Sequence, residues 1–94
     1  MTLLGRDLLD RFSKAHADLR RPLQAWIKEV EVAGWRTPQD IKSRYRSADF
    51  RPDNRVIFDL KGNHYRLVTV VRYQSGILLV EWIGTHADYD KRSF

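Results

Sequence analysis

The sequence predicts an α+β fold, with helices first and a small antiparallel sheet after them, and three observations carry that prediction. The stretch from Asn54 to Phe94 holds Val56-Ile57-Phe58-Asp59-Leu60 and Tyr65-Arg66-Leu67-Val68-Thr69-Val70-Val71, runs rich in β-branched and aromatic residues. Tight-turn pairs, Gly62-Asn63 and Ser75-Gly76, punctuate it. Upstream of it, apolar residues recur at helical rather than strand spacing. Runs of helices followed by runs of strands give helices packed on one face of a sheet.

Each element follows in order. Thr2-Leu3-Leu4 reads as a short edge strand before Gly5. A helix from Asp7 to about Ala15 places Leu8, Leu9, Phe12 and Ala15 on one side. A second begins near Pro22, a residue suited to a first helical turn, and its stripe is Leu23, Trp26, Ile27 and Val30, with Gly34 as the cap beyond its end. A third, shorter helix opens at Thr37-Pro38-Gln39-Asp40: Thr37 caps, Pro38 takes the first position and Asp40 favours the positive helix end. Its Ile41 and Tyr45 face inward. Ser47 to Asp53 is a loop by composition.

Strand register follows from the turns. With Gly62-Asn63 as the loop, Leu60 faces Tyr65, Asp59 faces Arg66, Phe58 faces Leu67 and Ile57 faces Val68. One face then carries Val56, Phe58, Leu60, Tyr65, Leu67 and Val71; the other carries Arg55, Asp59, Lys61, His64 and Arg66 among Ile57, Val68 and Val70. A third strand runs from Ile77 to about Thr85. With Ser75-Gly76 as its loop, Val71 faces Val80, Thr69 faces Trp82 on the apolar face, and Arg66 faces Thr85. A longer loop, Gln74 to Gly76, would turn Glu81 to the Phe58/Leu67 face and bury an unpartnered carboxylate. The first register is therefore expected, and with it a three-stranded meander.

Ninety-four residues, 43% of them hydrophobic and three of them Trp, are expected to form a single domain over 1–94 with a real core. The absence of cysteine excludes a disulfide framework and Cys-type zinc sites. No apolar run approaches the roughly 18 residues that span a bilayer, and the opening MTLLGRDLLDRF lacks the apolar segment of a signal peptide. A cytoplasmic protein is expected, with no membrane partner. A net charge of +5 points to a polyanionic partner, nucleic acid or an acidic protein, against the plainer alternative of a solvated basic surface.

Chemistry concentrates on the polar face. His86, in Gly84-Thr85-His86-Ala87-Asp88-Tyr89-Asp90, follows the third strand and begins its segment near Arg66. Lys61 and His64 belong to the hairpin turn at the same end, so Lys61, His64, Arg66 and His86 are expected to converge on one rim. RNA cleavage without a metal or other cofactor needs this set: a base for the ribose 2′-OH, cations for the crowded phosphate and an acid for the leaving 5′ oxygen. Histidine titrates near neutrality and serves either role. Tyr89 can stack on a base. Structural alternatives stand beside each: His86 as a cap, His64 as a surface residue, Asp59 as a cross-strand ion pair with Arg66, Tyr89 as core and Lys61 as an edge charge.

Arg55 to Val68, with its Lys61-Gly62-Asn63 turn, followed by Gly84-Thr85-His86-Ala87-Asp88-Tyr89-Asp90-Lys91, resembles the HigB toxins, RelE-like mRNA interferases of bacterial type II toxin–antitoxin modules. Trp35-Arg36-Thr37-Pro38 and Ser47-Ala48-Asp49-Phe50 resemble that family too, at matching distances, so the likeness covers nearly the whole chain. The resemblance implies a RelE-like fold with RNA bound on the sheet face away from the helices. It implies metal-independent cleavage of mRNA on the ribosome, and a HigA-like helix-turn-helix antitoxin as partner. It assigns Arg66 to the scissile phosphate, His86 and Tyr89 to acid–base and stacking roles, Lys61 to phosphate stabilisation and Asn63 to the turn or an RNA contact. His64 assists. The basic stretch Lys42, Arg44, Arg46, Arg51 and Arg55 would dock on RNA backbone. Two departures are visible: His64 stands where relatives often carry Lys, and Glu81 where RelE-like enzymes are often basic, which leaves Glu81 to pair with Arg55 or Arg72. The other functions open to the fold are a non-catalytic nucleic-acid or antitoxin binder and a gyrase-directed toxin.

Overall fold

The computed structural model describes residues 1–92. Strand β1 (Thr2–Leu4) leads into α1 (Arg6–Ala15), a 3-10 turn (Ala17–Leu19), α2 (Arg20–Val32) and α3 (Pro38–Arg44). Strands β2 (Asp49–Arg51), β3 (Arg55–Leu60), β4 (Tyr65–Arg72) and β5 (Ile77–Thr85) follow, and α4 (His86–Asp90) closes the described chain. The α+β expectation holds, with the expected β3-β4-β5 meander and β1 edge strand, but β2 adds a fifth strand and the sheet is mixed, in the order β1-β5-β4-β3-β2. β1 is the parallel edge beside β5, and β2 is an antiparallel edge beside β3. Among the described residues no helix is long and apolar enough to cross a membrane.

β2 lies inside the segment expected to be a loop. Asp49, Phe50 and Arg51 pair with Ile57, Val56 and Arg55. The turn between them places Asp53 and Asn54 at φ 64° and 62°, which these residue types tolerate. The helical layer follows the sequence more closely. Leu9 anchors α1, and Leu23, Trp26, Ile27 and Val30 anchor α2, all buried against Phe58, Leu67 and Val71 of the sheet. Truncating one such side chain costs about 2–5 kcal/mol. The start of α3 has the expected cap and more: the Asp40 amide donates to Thr37 Oγ1, and the Asp40 carboxylate accepts from the Thr37 amide in return. Gly34 does not cap α2. Ala33, in extended conformation, ends the helix with its amide on the carbonyls of Glu29 and Val30.

The β3–β4 ladder has the expected register throughout, Leu60↔Tyr65 to Ile57↔Val68, though the positive φ values fall on Lys61 (51°) and Gly62 (66°) rather than on Gly62-Asn63. The β4–β5 ladder is different. Its loop is longer, so that Arg72 pairs with Ile77 and Val71 with Leu78, and a bulge falls between Val68 and Thr69. Thr69 pairs with Val80 and Val68 with Trp82, leaving Glu81 as the extra residue. Leu78, Val80 and Ile83 therefore point into the core, while Glu81 and Trp82 both leave it. Trp82 was expected on the apolar face; the bulge moves it to the other one. Arg66 correspondingly pairs with Gly84 and not with Thr85.

The junction of β1 and α1 depends on a residue without a side chain. Gly5 adopts φ 85°, and a Cβ there would sit 2.7 Å from the Val80 carbonyl oxygen. Gly76 has a similar φ of 68° but open space around it. Gly5→Ala carries both the backbone strain, about 1–3 kcal/mol, and the collision, whereas Gly76→Ala carries only the strain. Urea denaturation is expected to rank Gly5→Ala clearly below Gly76→Ala, and equal losses would show that the Val80 contact relaxes freely.

Candidate functional site

The face of the sheet away from α1–α3 is built in rows. Arg51, Arg55 and Val70 lie across from Leu79 in one row, Asp49, Ile57 and Val68 across from Trp82 in the next, and Asp59, Arg66 and Gly84 in the last. Ile57 and Val68 are buried, so this face is a firm platform and not an open polar surface. Over its Arg66 end sits α4. Thr85 begins that helix by accepting a hydrogen bond from the Asp88 amide at 3.1 Å. The His86 amide donates to the His64 carbonyl at 3.0 Å, which ties the helix to the β3–β4 hairpin. Helical spacing then puts His86, Tyr89 and Asp90 on one side.

Arg66 is the hub. Its Nε lies 2.7 Å from Asp59 Oδ1, with the two side chains only 20% and 15% exposed. The N–H is not aimed at that oxygen, so the contact is an ion pair without hydrogen-bond geometry. Arg66 Nη2 donates to His86 Nε2 at 3.1 Å, and its guanidinium lies over the Tyr89 ring, 5.0 Å from the centroid. His86 Nδ1 in turn faces Asp90 Oδ2 at 3.1 Å. A guanidinium can only donate, so His86 Nε2 must accept and is unprotonated; Nδ1 then carries the proton, aimed at Asp90. The two contacts orient the ring, with Nε2 turned to Arg66 and Nδ1 to Asp90.

The expected convergence is met in part. Of the four side chains expected on one rim, Arg66 and His86 come together, with Tyr89 beside them. Lys61 does not join them: its Nζ lies 2.7 Å from Asp18 Oδ2, on the helical side, where Asp18 also accepts from the Tyr65 hydroxyl at 2.7 Å. Strict alternation placed Lys61 on the polar face, but its left-handed backbone ends the alternation at that residue. His64 and Asn63 are exposed at the turn, and His64 meets the cluster through its backbone carbonyl. The basic stretch divides. Arg51 and Arg55 lie on the site face, paired with Asp49 and Glu81 at 2.9 Å each. The Arg51 guanidinium is held above its ordinary value by its bond to Asp49, with Tyr89 a smaller contributor. Lys42 instead donates to the Ala48 carbonyl, Arg44 pairs with Glu29 of α2, and Arg46 is exposed beyond α3. Among the described residues no three of His, Asp or Glu are grouped as metal ligands.

Two members of the site escaped the sequence reading. Asp90 was legible in principle: Thr85-x-x-Asp88 is a helix-start signal, and a helix there puts Asp90 four residues from His86. Trp82 was hidden by the bulge. Its ring lies against Gly84, where any side chain would collide with it, and 6.2 Å from the Tyr89 ring.

A family model for HigB_toxin, the RelE-like toxic component of a toxin–antitoxin system, matches residues 19–92. No curated protein matches the chain.

The Lys61 pair gives a pH test. Asp18 is held below the usual carboxylate range, chiefly by the hydrogen bond from Lys61 and then by that from Tyr65. A carboxylate depressed on folding stabilises the protein above its unfolded value of about 4, and loses that contribution as pH falls through the folded value. Asp18→Asn is expected to be less stable than wild type at pH 7, with the gap narrowing as the pH falls below the ordinary carboxylate value of about 4. Denaturation midpoints above and below that value read this directly, and an unchanged gap would mean the pair does not support the hairpin.

Proposed function

The chain belongs to the HigB family of RelE-like toxins, the toxic component of a toxin–antitoxin system, and on that premise we propose that it is an endoribonuclease that cuts mRNA on the ribosome. The observation that carries the reading is His86 Nε2 held 3.1 Å from Arg66 Nη2. A base and a cation in contact, on a platform open to one side, are the minimum for transesterification at a phosphodiester.

The proposed course is as follows. The scissile phosphate approaches Arg66 and draws the guanidinium N–H groups to its oxygens, a stronger charge-assisted partner than a neutral imidazole. That frees His86 Nε2, which takes the proton of the ribose 2′-OH. The 2′ oxygen attacks phosphorus, the bond to the 5′ oxygen breaks, and the leaving oxygen takes up a proton. The products are a 2′,3′-cyclic phosphate and a 5′-OH. Asp90 holds the imidazolium that forms, Asp59 keeps Arg66 aimed, and Tyr89 positions the substrate. His64, at the adjoining turn, would serve the leaving oxygen. Arg51 and Arg55 would track the RNA backbone, with a steep salt dependence if they do. A HigA-like helix-turn-helix protein is the proposed antitoxin, and the cytoplasm, where ribosomes work, the proposed compartment.

Cleavage of a defined mRNA on programmed ribosomes tests the reading. His86→Ala is expected to lower kcat by about 10²–10⁴-fold, and Arg66→Ala by about 10²–10³-fold, with both variants folded by circular dichroism. Asp90→Asn should lower kcat more than it raises KM, because it disturbs the tautomer and not the phosphate contacts. Wild-type protein that binds ribosomes but leaves the message intact would remove the nuclease reading. DNA damage signalling with intact mRNA during growth arrest would move it to gyrase.

A further inference from the structure

β1 covers β5 only along Ile77–Leu79, because the chain turns at Gly5 into α1. Beyond Leu79 the edge of β5 that β1 leaves open runs beside α1, and a cleft of about 370 Å³ lies between them, walled by Leu8, Arg11, Phe12 and Ala15 on one side and Glu81, Trp82 and Ile83 on the other. It adjoins a second cleft of about 430 Å³ that shares Phe12, Trp82 and Ile83 and adds Gly84, Asp88, Lys91 and Arg92. Both fall in the size range of small-molecule sites. The first is mostly apolar, with Arg11 and Glu81 at its rim; the second brings Lys91 and Arg92 together with one carboxylate, Asp88, so that cations outnumber it. Trp82 stands between this groove and the Arg66 site, since its ring also meets Tyr89.

We propose that the α1/β5 groove is a nucleobase subsite, in which one unstacked base of the RNA strand lies on Trp82 against Phe12 and Ile83 while Lys91 and Arg92 take the phosphate beside it. This rests on the endoribonuclease reading and adds to it a determinant of base preference. Three features select a base over another occupant. The site pairs an aromatic floor with adjacent cations, the combination that binds single-stranded nucleic acid. The Arg92 guanidinium already lies over the Trp82 ring, 5.3 Å from its centroid; a planar cation on that π face marks a place a planar base can take, and the displaced guanidinium remains close enough for the phosphate. The groove also adjoins the Arg66 site at Trp82, whose ring lies 6.2 Å from that of Tyr89, so neighbouring nucleotides of one strand could reach both. Gly84 belongs to the same device: it leaves room for the indole, and a side chain there would push Trp82 off the platform.

The test uses the full chain and needs no cleavage. The probes are four 2′-O-methyl RNA tetramers differing at one base, and an abasic tetramer of the same charge. The indole N–H signals of Trp26, Trp35 and Trp82 are followed by nitrogen-edited NMR, with Trp82→Phe giving the assignment. The Trp82 signal is expected to shift with the base-bearing tetramers while that of buried Trp26 stays in place, and the abasic tetramer should bind about tenfold more weakly. Trp82→Leu should erase that tenfold difference, with the Trp26 and Trp35 signals unmoved as the sign that the fold persists. Equal binding of the abasic probe, or a stationary Trp82 signal, overturns the proposal. So does a Trp82 signal that responds to an antitoxin peptide and to none of the tetramers, which would make the groove a peptide site. Ribosomal cleavage separates the two readings. If messages stay whole while the tetramers still bind at Trp82, the nuclease reading fails and the subsite stands; if Trp82→Leu cuts with wild-type base preference, the subsite fails and the nuclease stands.

Discussion

The placement of one carboxylate governs the half of the sheet that matters. Glu81 falls in the middle of β5, between Val80, which packs on the core, and Trp82. A strictly alternating strand has no good solution there. Sending Glu81 inward would bury a charge among Phe58 and Leu67, at a cost of several kcal/mol; sending it outward in simple register would send Ile83 out and Trp82 in. The bulge resolves this by letting Glu81 and Trp82 leave the core together while Ile83 returns to it. Glu81 then finds Arg55 across the sheet. The extra residue also increases local twist, and it brings Gly84 opposite Arg66. A constraint of burial therefore sets which aromatic faces the candidate site and which residue lies opposite Arg66.

Arg66 shows how a cation can be held ready in a protein whose other cations are loosely placed. It sits on a central strand, with Asp59 fixed across from it by the ladder and α4 folded over it. Its partners approach from separate elements: a carboxylate from β3, an imidazole and a phenol ring from α4. None of these can follow it if it moves, so the guanidinium keeps its aim before any phosphate arrives. Positioning in advance is what gives an electrostatic group its value in a reaction. The price is an occupied histidine, which in the proposed reaction a phosphate would release by competing for the same N–H groups.

What the sequence disclosed and what it hid divide along physical lines. The β3–β4 hairpin was legible to the residue because a two-residue turn leaves a single register for Leu60, Asp59 and Phe58. Thr37 and Asp40 announced α3 through a local bond pattern. The pairing of Arg66 with Asp59 followed from register alone. The β4–β5 register was hidden because a bulge is decided by the competition among Glu81, Trp82 and Ile83 for one core, which no local rule weighs. β2 was hidden because three residues among polar neighbours carry little strand signal, although Pro52-Asp53-Asn54 is a fair hairpin loop. Lys61 was misplaced because alternation was carried one residue past the strand, into a left-handed turn. His86 and Tyr89 came from resemblance and chemistry; Asp90 needed the short helix, and Trp82 needed the bulge.

Net charge turns out to be a poor map of where nucleic acid would bind, and the reason lies in the pairing. Arg44, Arg51, Arg55 and Lys61 each face a carboxylate, and most of these pairs are open to solvent. Exposed pairs are weak, since water screens them and two long side chains lose freedom to form them. A phosphate that releases counterions on contact competes well with such a carboxylate. Pairing therefore would not withdraw Arg51 and Arg55 from the proposed RNA face; they could exchange partners as a strand arrives. Lys61 and Arg44 are withdrawn for another reason, which is position: their carboxylates belong to the helical layer, and holding them turns these cations to the wrong side. The distinction that matters for function is thus which face the acidic partner stands on, and only the folded chain decides that.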